Sequence, residues 1–250
     1  MSFHISHYTL HITHFDFPMI VACHQPNYLP WPGFFYKMMA CNAFVLMDSC
    51  QFPLGGSFIN RNRIKTPPSR FLWLTVPVKR KGRSLQNINE VQIDNEIDWQ
   101  RRHLGALIHF YAKAPYFNEY IDFFRALYSK KWDQLITLNL EIINFFKKLL
   151  RVDTKLYFLS GLGVEGSGSS LLVNVLRRLD ADAYLSVYNS RKYIDEALFK
   201  KEGIKVRYYN FKPPVYPQLW GEFLYNLSII DLVLNCREKA KEIIEDCGKN

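Results

Sequence analysis

The chain has 250 residues, five cysteines and a formal charge of +9. That length can bury a substantial apolar core without disulfides or a structural metal, and an odd cysteine count with no C-x-x-C pair excludes a zinc ribbon or a secreted disulfide scaffold. No apolar run approaches the roughly 20 residues that span a bilayer and no basic-then-apolar leader opens the chain, so it reads as cytoplasmic, without membrane insertion, and its charge suits an anionic partner.

Residues 1–18 alternate His, Tyr, Thr and Ile and read as an N-terminal extension; 19–250 read as one α/β domain. "MIVAC" (19–23) has the short continuous apolarity of a buried parallel strand. A short helix is expected at 34–40, and "AFVLM" (43–47) supplies a second strand. "FLWLTVPV" (71–78) is a third, with Pro77 placing it at an edge or a strand end, and 90–93 a fourth. From about 97 to 151 the apolar positions recur every three to four residues, which predicts a helical insertion.

Alternation then resumes, with strands at 155–159, 183–186 and 204–211, and helices at 169–179, 194–201, 227–235 and 238–246. Strand and helix in turn predict an α/β fold: a mostly parallel Rossmann-like sheet flanked by helices.

In such sheets ligands sit beyond the carboxyl ends of the strands. The connection "HQPNYLPWPGFFYKM" (24–38) is therefore the first place to look for a site. Its prolines restrict the backbone, while His24, Gln25, Asn27 and Tyr28 carry donors and acceptors around that frame. Strand alternation separates Cys23 from His24, which argues against a Cys–His dyad between them. Asp48, just after the second strand, can face the same crevice and orient the histidine, or serve as a turn or cap residue.

"NRNRIK" (60–65), if extended, puts Arg61, Arg63 and Lys65 on one side and Asn60 and Asn62 on the other. Guanidinium forks and an ammonium on one face suit a phosphate, and equally a solvated edge strand. "GLGVEGSGSS" (161–170) lacks the spacing of a nucleotide motif and reads as a loop with a serine N-cap. Near the end, Tyr216, Glu222 and Asp231 stand in "VYPQLWGEF" and "NLSIID". Glu222, in an aromatic and apolar segment, can acquire a raised pKa and act as an acid or base, and Asp231 suits the first turn of a helix.

"HQPNYLPWPGFFYKM", followed by "FINRNRIKT", "WLTVPVK", "KAPYF" and "VYPQLWGEFLYNLSIIDLVLN", resembles the WbqC-like family of bacterial polysaccharide-cluster proteins over residues 19–235. The resemblance implies a role in O-antigen biosynthesis and the transfer of a glycyl or related amino-acyl group. One stretch departs from the family pattern: "SVYNSRKYID" has Val187, Tyr188, Asn189 and Ser190 where glycines are usual, before Arg191.

The resulting expectation is a transferase in surface-polysaccharide or nucleotide-sugar biosynthesis. His24, Asp48 and Glu222 form its catalytic set. Gln25, Asn27, Tyr28, Asn60, Arg61, Arg63, Lys65, Tyr188, Arg191 and Tyr216 form its substrate-binding set, and no metal site is assigned. The donor is left open among an activated acyl compound, a nucleotide with Mg and an aminoacyl-tRNA, the one nucleic acid considered; the other substrate is an anionic or sugar-linked small molecule. Two alternatives stand beside it: a nucleotidyl-transferring Rossmann-like enzyme, and a non-catalytic sugar- or nucleotide-binding module.

Overall fold

The computed structural model describes residues 18–83 and 85–248. The extension expected at 1–18 thus lies almost wholly outside the described residues.

β1 (Ile20–His24) and β2 (Ala43–Leu46) are buried on both sides, as their unbroken apolar runs require. Between them runs α1 (Pro32–Met39). Proline at its first position has no N–H to leave unsatisfied, and Phe34, Phe35 and Met38 turn onto the sheet with no exposed surface. Each side chain of that size contributes about 1.5–3 kcal/mol when fully buried.

After β2 the chain leaves the sheet. β3 (Arg61–Thr66) and β4 (Arg70–Thr75) form an antiparallel hairpin of their own. Pro77 thus follows the strand instead of sitting within it. The strand expected at 90–93 does not form: Glu90 ends a 3-10 turn, Ile88–Glu90, in which Asn87 and Glu90 cap one another, and Gln92 and Ile93 make only isolated bridges.

Three helices fill the middle of the chain: α2 (Trp99–Tyr111), α3 (Phe117–Ser129) and α4 (Leu135–Leu149). β5 (Lys155–Phe158) returns to the sheet, followed by α5 (Leu159–Leu162), α6 (Gly168–Arg178), β6 (Ala183–Val187), α7 (Glu196–Lys201) and β7 (Lys205–Tyr209). Ser167 caps α6, with the Ser170 hydroxyl accepting its N–H. Residues 210–228 carry no helix or strand, and α8 (Ile229–Cys236) and α9 (Lys239–Asp246) close the described chain.

Every pair in the sheet is parallel and the order is β5-β2-β1-β6-β7. This is the Rossmann-like order in which the first strand is central and the winding reverses beside it. One face of the sheet packs on α1, the middle helices, the hairpin and the C-terminal helices; the other packs on α6 and α7. No helix among the described residues is long and apolar enough to cross a membrane.

The connection after β1 is the joint of the first layer. Asn27 to Pro30 are buried, so their peptide groups must find partners within the protein. Asn139, an amide inside the apolar stripe of α4, donates to Pro26 O at 2.9 Å and to Ile59 O at 2.8 Å. Asn62 of β3 donates to Leu29 O at 2.7 Å, and Ile229 N at the start of α8 reaches Pro30 O at 2.8 Å. Asn139→Ala should leave two buried carbonyls without donors and lower stability by roughly 2–4 kcal/mol. Urea denaturation would measure this; a loss below about 0.5 kcal/mol would show that the joint does not depend on this amide.

Candidate functional site

The winding reverses between β1 and β6, so the crevice beyond their carboxyl ends is where this architecture accepts ligands. The two strands pair only through Ile20↔Ala183 and Val21↔Tyr184. Beyond that point they part, with His24, Gln25 and Asn27 following one and Tyr188 and Arg191 following the other.

His24 ends β1. Its ring lies edge-on to Phe34, with centroids 5.0 Å apart, and parallel to Phe44 at 6.4 Å. The side chain keeps some surface in solvent, yet it is crowded enough that desolvation, then the nearby Lys37 charge, push its pKa down to about 4. The neutral ring places Nδ1 2.8 Å from Gln25 O. A carbonyl only accepts, so Nδ1 carries the proton and Nε2 presents a lone pair. Nε2 has no protein partner among the described residues, and it can take a proton from a ligand.

The orienting group is thus the Gln25 carbonyl and not Asp48. Asp48 is buried and accepts from Ser160 N at 2.9 Å and Ser160 Oγ at 2.6 Å, tying the end of β2 to the turn after β5. No hydrogen bond or ion pair joins it to His24 among the described residues. Asn27 is buried beside the crevice, and its side-chain amide makes no hydrogen bond to any described residue.

Tyr28, expected to position a substrate, points the other way. It is fully buried, and its hydroxyl lies 2.7 Å from His103 Nδ1 and 2.6 Å from the Tyr128 hydroxyl. Asn60 and Asn62 are likewise structural: Asn60 Nδ2 donates to Val76 O, and Asn62 spans β3 and the connection. Both amide nitrogens donate to backbone carbonyls of the fold, and Asn62 Oδ1 accepts from Arg63 N.

Arg61, Arg63 and Lys65 do share a face of β3, as alternation requires, but they divide in chemistry. Arg61 stacks on the Trp73 ring at 4.4 Å, and a Cβ at Gly56 would collide with its guanidinium. Clamped between ring and glycine, it has no hydrogen bond to any described residue. Arg63 lies 4.8 Å from the Phe71 centroid, donates to Asn226 O at 2.9 Å and leaves Nε buried without an acceptor. Phe58 and Phe71 flank the pair and are about half exposed.

Lys65 is withdrawn from that face by the irregular 210–228 segment. It has no exposed surface, and Nζ donates to Gln218 Oε1 at 2.9 Å and Glu222 O at 2.6 Å. Glu222 itself is exposed, and it meets Lys65 through its backbone carbonyl and not its carboxyl. The buried carboxyl of this region is Asp231. Tyr111 donates to Asp231 Oδ2 at 2.6 Å, and Tyr216 stands beside the same carboxyl outside hydrogen-bond geometry, leaving Oδ1 unpartnered. Tyr188 and Arg191 are exposed at the end of β6, where Arg191 pairs with Glu196 at 2.8 Å.

Lys37 was not singled out by its sequence. It is the single charge in the apolar helix "PGFFYKMM", and only 7% of its surface is exposed. Two surface grooves, about 660 Å³ beside β7 and about 620 Å³ near Lys79, include none of these buried groups.

Desolvation raises the Asp231 pKa from 3.8 to about 6 against the opposing pull of Tyr111, Tyr216 and Lys65. A raised folded-state carboxyl contributes stability below its unfolded pKa, and that contribution is lost as pH rises through about 6. Asp231→Asn should therefore gain on the parent protein between pH 4 and pH 8, by roughly 3 kcal/mol from about two pKa units. Parallel denaturant titrations at the two pH values measure this; equal differences at both would mean that Asp231 ionises freely in the fold.

The WbqC-like protein family model matches residues 25–243. The chain is 33% identical over 229 residues to the uncharacterised protein Rv1507c of Mycobacterium tuberculosis, covering 91% of this chain and 98% of that one. No solved structure matches. The connection from Gln25 onward and the arginine hairpin lie within the matched span, which begins one residue after His24, and the chain belongs to the WbqC-like protein family.

Proposed function

We propose that the protein is a transferase of surface-polysaccharide or nucleotide-sugar biosynthesis, moving an acyl or amino-acyl group onto an amine or hydroxyl of a sugar. The observation that carries this reading is His24: a neutral imidazole at the reversal point of the sheet, its proton held on Nδ1 by a carbonyl and its Nε2 without a partner among the described residues. The acceptor's N–H or O–H approaches Nε2 and its heavy atom attacks the acyl carbon of the donor. The new C–N or C–O bond forms as the proton passes to Nε2, the bond to the donor's carrier breaks, and Nε2 returns the proton to the departing carrier. Family membership supports the polysaccharide setting.

A nucleotidyl-transfer role would need His24 to be cationic or to offer an N–H towards phosphate. The ring's tautomer and its depressed pKa weigh against both. An anionic carrier finds a preformed fork at Arg61, whose guanidinium is held in place by Trp73 and has no acceptor among the described residues to displace.

Mass spectrometry of polysaccharide precursors from cells with and without the protein tests the reading. Cells lacking it should accumulate a precursor lighter by one acyl-sized group, and His24→Ala should reduce the modified form by about 100-fold or more while leaving thermal stability near the parent value. An unchanged precursor pool would overturn the assignment. Gly56→Ala should push Arg61 off Trp73 and lower output about five-fold, the equivalent of about 1 kcal/mol, with no change in melting temperature. Gly55→Ala, where a Cβ meets nothing within 4 Å, is the control and should be silent.

A further inference from the structure

β1 alternates its carbonyls between its two neighbours. Ile20 O and His24 O accept from Asn42 and Met47 on the β2 side, so Cys23 O faces β6. Because β1 and β6 have already parted at that level, no β6 amide pairs with it. Lys37 Nζ occupies the split instead, donating to Cys23 O at 2.7 Å. The ammonium makes no other hydrogen bond and no ion pair among the described residues. Its remaining neighbours are thiols, the His24 ring and the face of Tyr184 at 6.0 Å.

Burial pushes the Lys37 pKa down, and an ammonium held this deep ordinarily has a carboxylate beside it, since one carbonyl recovers little of its hydration. Two of the three N–H donors of Lys37 remain unused, at the one place where the sheet opens for a ligand. Gln218 and a backbone carbonyl satisfy the other buried lysine, Lys65, and Asp231 lies near it. Lys37 therefore differs from Lys65 in lacking an internal counter-charge.

We propose that Lys37 is the anion-binding floor of the crevice between β1 and β6, and that the ligand brings its counter-charge as a phosphate or diphosphate group. The inference rests on the reading of this crevice as the site and adds to it the chemical class of what enters: a phosphate-bearing donor or acceptor, seated next to the histidine. An anion at Lys37 would also offset the charge that helps to hold the His24 pKa down, bringing Nε2 closer to the range in which a base is effective at neutral pH.

Calorimetric titration of the full chain with pyrophosphate, at ionic strength matched with NaCl, tests this without any transfer step. Saturable binding is expected, weakened at least about tenfold in Lys37→Met. Arg125→Ala, exposed on α3 and paired with Asp122, should leave it within about twofold. Absence of saturable binding, or equal binding by Lys37→Met, would overturn the proposal. Should Lys37→Met fail to fold, the parent protein suffices: pyrophosphate should raise the pKa of His24, followed by its ring proton in NMR, by about one unit or more, and an unmoved titration would place the anion elsewhere. Pyrophosphate binding without any change in precursors would remove the transferase reading and leave the anion site standing; altered precursors without pyrophosphate binding would do the reverse.

Discussion

The connection after β1 is buried, and a buried peptide chain must have its carbonyls satisfied. Everything on that side of the sheet is arranged around this demand. Pro26, Leu29 and Pro30 offer acceptors that take donors from α4, β3 and α8 respectively, so three segments far apart in sequence converge on one short stretch. Leu29 holds a left-handed φ of 44° there, a conformation that costs a branched residue roughly 1–2 kcal/mol and persists because its neighbours are pinned on both sides. The connection can leave His24 in a defined orientation because its backbone is fixed by others.

The same economy of polar groups explains why the site is electrically unusual. His24 is neutral, Lys37 is buried without a carboxylate and its pKa is pushed down by that burial, and Asp48 is spent on Ser160. A catalytic dyad of histidine and aspartate would orient its base internally. Here the Gln25 carbonyl orients it, and a carbonyl fixes the tautomer without supplying the negative charge that would stabilise an imidazolium. Under the proposed reading such a base depends on charge brought by its ligand, in keeping with Lys37 and Arg61, which make no ion pair among the described residues and lie on the elements around the connection.

The hairpin and the irregular 210–228 segment show how a charged face is divided by what covers it. Arg61 and Arg63 stay on aromatic rings at the surface, while Lys65, two residues further along the same side, is sealed by Gln218 and Glu222 O. Alternation along β3 made the three look equivalent. The covering segment comes from more than 150 residues away, so nothing local to "NRNRIK" could reveal which cation it would take.

Periodicity and composition determined by themselves the α/β class, the parallel sheet with its helical middle, and the importance of the connection after the first strand. These follow from local rules of side-chain spacing and backbone restriction that hold wherever the segment ends up. Side-chain partnership was decided only by the tertiary structure: Tyr28 faces His103 and not the crevice, Asp231 is the buried carboxyl in place of Glu222, and Lys37 lies in a gap made by two strands parting. A polar group's role depends on whether water or a distant residue satisfies it, and that is fixed by contacts between segments remote in the chain.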